Sequence, residues 1–219
     1  MYKFFIYSML VVLYLGLAKT LSPSEMGISY LQNEKSFAKI TNKPHVTFIL
    51  IDTHVTGFLI KTYYQKYRVI SGHEEVEDLI LRSSKEFTQK NLENIGLSIY
   101  RRDNGVEEFT PLPPGSLYIN DPEFGEWKKN AGGERVWHFN KTYKNFSRYL
   151  GWNDFLPTEK FYNELLLNKS IGKPFYGLNQ EFGPHGEVTK KAFPHFFNED
   201  RRKKMDFKTL LFNYFKENF

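Results

Sequence analysis

Three stretches of this 219-residue chain predict an α+β fold, with an antiparallel sheet backed by helices in the first half and a helix-rich aromatic second half. His45 to Asp52, HVTFILID, is a strand-length run of β-branched and aromatic residues. Asp103-Asn104-Gly105 is a hairpin signal, because asparagine and glycine accept the positive φ that a two-residue turn demands. The segment 157–169 has the marks of a helix at both ends. Pro157 suits a first turn, Glu159 complements the helix dipole, and Gly172 and Pro174 prevent continuation. Phe161 and Leu165 recur four apart, with Tyr162 and Leu166 beside them, as one face of a helix lying on a core.

The remaining elements follow from the amino terminus. Residues 1–18 read as a signal peptide: Lys3, then the apolar run FFIYSMLVVLYLGLA, then small Gly16 and Ala18 where a signal peptidase inspects the chain. An uncleaved leader would be the one route to membrane attachment. A first helix is expected from Ser22-Pro23-Ser24-Glu25 to about Ile40, with Met26, Tyr30 and Phe37 inward. After the strand at 45–52, residues 53–57 would turn the chain into a second antiparallel strand over 58–70. Ser71-Gly72-His73-Glu74 matches a capping box, and Val76, Leu79, Ile80, Ser83 and Phe87 keep helical spacing up to Gly96. A strand at 97–101 and its hairpin partner at 106–109 complete a first lobe, 19–111.

Leu112-Pro113-Pro114-Gly115 stiffens the chain and opens a second lobe, 112–219, packed on the first. A short strand is expected at 117–119 and a break at Ala131-Gly132-Gly133. Helices should follow from Glu134 to Leu150, on the spacing of Val136, Phe139, Tyr143 and Phe146, and from Asp206 to the terminus, on Phe207, Leu210, Leu211 and Tyr214.

Composition limits the function. A hydrophobic fraction of 41% and an aromatic fraction of 17% supply enough apolar surface to exclude wholesale disorder. The absence of cysteine excludes disulfides, thiolate catalysis and thiolate metal sites. A net charge of +5 without a dense basic stripe gives no reason to expect nucleic acid as a partner of an exported chain. No phosphate-cradling glycine loop, dinucleotide fingerprint or other cofactor motif occurs.

The expected function is an exported, extracytoplasmic binding or structural protein of the cell envelope, periplasmic or secreted, that recognises a glycan or a protein partner. The ligand surface would be Trp152, Asn153, Asp154, Tyr176, Asn179 and Gln180, since a flat ring covers a sugar face while amides and carboxylates bind its hydroxyls. Against this, tryptophans in small domains are usually core. The alternative is an envelope glycan or peptidoglycan hydrolase. It would use paired carboxylates drawn from Asp121, Glu123, Glu126, Asp154, Glu164 and Glu181, with Glu164 and Glu181 the catalytic candidates, or a metal at Glu181, His185, Glu187 and His195. Asp52, His54, Ser71 and His73 contain the residue types of a serine triad, but no nucleophile-elbow pattern surrounds the serine. Asn140, Asn145 and Asn168 begin glycosylation sequons, which have meaning only in a eukaryotic secretory path.

Overall fold

The computed structural model describes residues 2–21, 29–57, 61–72 and 75–197. The expected terminal helix lies outside the described residues, as do residues 22–28 of the expected first helix. Helix α1, Tyr2–Leu21, is mostly apolar in sequence, and its side chains at 2–15 are exposed rather than packed into either core cluster. Among the described residues no helix is long and apolar enough to cross a membrane.

The first lobe is a six-stranded sheet. Strand β1 (Tyr30–Leu31) is followed by a 3₁₀ turn at Glu34–Lys39, then by β2 (Val46–Thr56), β3 (Thr62–Ser71) and β4 (Glu75–Ser83). Helix α2 (Lys85–Lys90) leads into β5 (Ser98–Asp103) and β6 (Val106–Glu108). The spatial order is β1-β4-β3-β2-β5-β6, antiparallel except for the β1–β4 pair. The expected strand at 45–52 is therefore central and the second one antiparallel to it. The hairpin turns as its sequence demands, Asn104 and Gly105 both having positive φ of 47° and 83°.

Three expectations for this lobe are corrected. Residues 29–40 are not helical throughout: Tyr30 is in β1, and the 3₁₀ turn delivers Phe37 to the core. Strand β2 does not turn at Thr53 but continues to Thr56, past a bulge between Leu50 and Asp52. The long helix expected from Ser71 is instead strand β4, paired with β3 from Tyr63↔Ser83 to Ser71↔Glu75. Its apolar residues fit both periods, but only pairing satisfies the backbone of β3, which would otherwise be a long exposed edge. The cap moves to Ser84, whose Oγ accepts the Phe87 N–H at 3.0 Å to start the shorter α2.

The second lobe begins with a turn: the N–H groups of Tyr118 and Ile119 both donate to Gly115 O, where a strand was expected. Strands β7 (Gly125–Lys129) and β8 (Arg135–Phe139) form an antiparallel ribbon. The helix expected from Glu134 is thereby reduced to a 3₁₀ turn at Lys141–Tyr143 and the single turn α3 (Phe146–Tyr149). Gly133, with φ of 82°, closes the ribbon turn, and the aromatic run Val136-Trp137-His138-Phe139 pairs rather than coils. Helix α4 (Glu159–Ser170) matches its expected span to within two residues. Thr158 caps it at 3.1 Å, Phe161 and Leu165 are buried, and Gly172 takes positive φ beyond its end. Helices α5 (Glu187–Ala192) and α6 (Pro194–Phe197) follow.

The central strands of the sheet are buried on both faces. One face carries Phe48, Tyr67, Val69 and Leu81 against Phe37 and Phe87. Phe37 sits inside a ring cluster, 4.9 Å from Phe48 and 5.0 Å from Tyr100. The other face carries Ile49, Ile51, Ile70 and Leu97 into a cluster with Trp137, Phe146, Trp152 and Phe161 of the second lobe. A single apolar cluster thus spans the Pro113-Pro114 segment and joins the two halves.

Candidate functional site

The expected ligand surface divides on folding. Trp152 is 2% exposed; its indole N–H donates to Pro114 O at 2.8 Å and its ring stacks on Phe139 at 5.2 Å. It is a core residue, so the ring face proposed to cover a sugar is already covered by protein. Tyr176 is half-buried and donates its hydroxyl to Asn94 Oδ1 at 3.2 Å, linking the second lobe to the turn at Leu92–Asn94. Burial, with the Glu93 charge, pushes its phenol up. Asn153, Asp154, Asn179 and Gln180 are exposed, and Asn153 and Gln180 adopt positive φ, as turn residues do. Among the described residues, no ring contact joins Trp152 to Tyr176.

Both oxygens of Glu181 are committed within its own turn, accepting the Asn179 backbone N–H and side-chain amide at 3.0 Å each. Glu164 lies half-buried on α4. Asp121 Oδ1 accepts the Glu123 N–H, and Glu126 pairs with Lys128, both ordinary turn and surface roles. Glu187 pairs with Lys190 at 2.9 Å; His185 is exposed, and the His195 side chain lies outside the described residues. Among the described residues no group of three histidine, aspartate or glutamate side chains is placed to hold a metal ion. The triad residue types are kept apart by register. Ser71 pairs with Val46 and His54 with Tyr64, so along β3 they lie seven strand positions apart, about 23 Å at the usual rise. His73 lies outside the described residues.

Strand pairing creates two constellations that sequence spacing does not reveal. Val46 pairs with Arg102, so the residues just beyond them, His45 and Asp103, meet with Nδ1 and Oδ1 2.7 Å apart. His45 is partly buried and Asp103 is exposed. The second constellation is a groove of about 470 Å³ lined by Arg68, Val76, Asp78, Arg148 and Tyr149. It lies where the sheet face bearing Ile49 and Ile70 emerges from under the second lobe. Arg68 is directly opposite Ile49 on one side and Asp78 on the other, and directly opposed residues share a face. The single turn α3 supplies the facing wall.

The groove is electrostatically ordered. Asp78 accepts from Arg68 Nε at 3.1 Å and from Lys66 Nζ at 3.0 Å. The Arg68 guanidinium carbon also stands 5.3 Å from the centre of the Phe193 ring. Arg148, exposed, rests its guanidinium over Tyr149 at 5.6 Å and has no carboxylate partner among the described residues. Lys66 and Arg68 thus both contact Asp78, and Arg148 lines the same groove. Burial alone would raise the Asp78 carboxyl, but hydrogen bonds and charge from Lys66 and Arg68 outweigh it and hold the group low. Its contribution to stability is therefore present above the ordinary aspartate range and lost as pH falls through its depressed value. A carbon-detected NMR titration will place the Asp78 midpoint below 3.8. A midpoint at or above that value would show that the Lys66 and Arg68 contacts do not hold in solution.

Comparison with protein-family models, with curated proteins and with solved structures gave no match to this chain.

Proposed function

We propose that this is an exported binding or structural protein of the cell envelope, and that the groove between the sheet and α3 is its ligand-contact surface. The observation that carries this reading is Arg148, whose guanidinium stands 5.6 Å over the Tyr149 ring beside a concave surface and has no carboxylate partner among the described residues. Its donors are thereby open to a ligand. The leader supports the extracytoplasmic part: apart from Lys3 and Ser8 its described side chains are apolar, and they are exposed, as expected of a segment that is not built into the body of the protein. Relative to the sequence reading, the ligand surface moves from Trp152 and Tyr176 to Arg68, Arg148 and Tyr149.

Fractionation of the source cell with N-terminal mass analysis tests export. The expected product lies outside the cytoplasm and begins at Lys19, after removal of residues 1–18. Recovery of the intact chain, leader included, from the cytosol would overturn the reading.

A further inference from the structure

We infer that the groove takes an acidic glycan, a sugar chain whose carboxylate or sulfate groups are held between Arg68 and Arg148. The inference rests on the groove being the ligand surface and names the chemistry it selects.

Both guanidinium groups are presented alike. Each lies over an aromatic ring, Arg68 over Phe193 and Arg148 over Tyr149, which restricts the plane while leaving edge N–H groups available. Arg68 is further fixed by its single Nε contact to Asp78, so its terminal nitrogens have no acceptor among the described residues. A planar fork with free parallel donors matches the two oxygens of a carboxylate or of a sulfate.

The remaining lining argues for a sugar around that anion. Asp78, although paired with Lys66 and Arg68, is an acceptor with lone pairs to spare, and it would repel a bare polyanion lying flat on the groove. It suits a ligand with hydroxyl donors next to its acidic group. The Tyr149 phenol has no hydrogen-bond partner among the described residues and adds a second hydroxyl-compatible contact. An acidic peptide would be expected to anchor through a buried apolar side chain, yet the groove offers one aliphatic residue, Val76. The groove, about 470 Å³, is open to solvent. An open groove of that size would admit part of a longer chain.

Titration calorimetry of the purified protein tests this with oligogalacturonate as the carboxylate probe, dextran sulfate oligosaccharide as the sulfate probe and neutral dextran as the control. The expected result is binding of at least one acidic probe and not of dextran, weakening as salt is raised. The probe that binds distinguishes carboxylate from sulfate. Arg148→Ala, at an exposed residue with no described ion pair, should weaken binding about tenfold or more. Arg135→Ala removes an equal charge outside the groove, where that residue pairs with Glu159, and should leave affinity within about twofold. Three outcomes would overturn the inference: no binding of either acidic probe by protein with native circular dichroism, equal binding of dextran, or equal loss in both variants. Binding of dextran that is sensitive to Arg148→Ala would sink the acidic-glycan inference while keeping the groove as the ligand surface. The export reading is decided separately, by fractionation.

Discussion

Arg101→Ala will lower the unfolding free energy by about 3–5 kcal/mol, the range expected when one member of a buried charged network is removed. The Arg101 side chain is fully buried. Its Nη1 donates to Ser98 O and Ser98 Oγ at 2.8 Å each, its Nη2 to Thr110 O at 2.6 Å, and its Nε faces Glu108 Oε2 at 3.4 Å. Glu108 in turn pairs with Lys169 at 2.5 Å, so the network ties the β5–β6 hairpin to α4 of the second lobe. Burial pulls the guanidinium down to about 10, against the opposing charge of Glu108, which still leaves it protonated at neutral pH. Truncation removes the Arg101 donor from Thr110 O and opens a cavity beside Ser98, whose carbonyl oxygen keeps the Leu112 N–H at 3.1 Å. Arg101→Lys should recover less than half of the loss, because one ammonium cannot reach acceptors arranged for a fork. Urea unfolding followed by tryptophan fluorescence will measure both variants, and a loss below about 1 kcal/mol for the alanine variant would show that the network is loose in solution.

Trp152→Ala will likewise act on stability, at about 3–5 kcal/mol. Its ring is packed against Phe139, lies 6.3 Å from Phe155, and approaches Gly115 so closely that a Cβ there would stand 2.4 Å from Cζ2. Gly115 has a φ of 91°, so close approach and backbone conformation both require glycine. Trp152→Phe keeps most of the apolar burial but leaves Pro114 O without its donor, for an expected cost of about 1–3 kcal/mol. Thermal unfolding will rank the two variants. Ligand affinity measured below the unfolding transition should stay within about twofold of wild type for Trp152→Phe. A large loss of affinity with unchanged stability would return Trp152 to the ligand surface.

Local chemistry determined several features of this protein outright. Pairing of Val46 to Asp52, the Asn104-Gly105 turn and the capped helix around Phe161 and Leu165 follow from propensity, positive φ and terminus signals acting within a few residues. The α+β class was legible for the same reason. Where residues 75–83 and 135–139 became strands rather than helices, the local apolar pattern suited either period. The choice fell to a partner strand whose backbone needed pairing.

The candidate site belongs almost wholly to tertiary structure. Arg68 and Asp78 meet through strand register, Arg148 and Phe193 reach them from the second lobe, and His45 meets Asp103 across 58 residues of chain. Composition showed that aromatic rings and cations were present in number. Which ring is core and which cation is free depends on what packs against each, and that is set by burial between segments far apart in the chain. Sequence by itself determined the apolar character of the first residues, the central strands and the α4 helix. Only the fold placed Trp152 inside and Arg148 outside, because a side chain's exposure is a property of its neighbours in space.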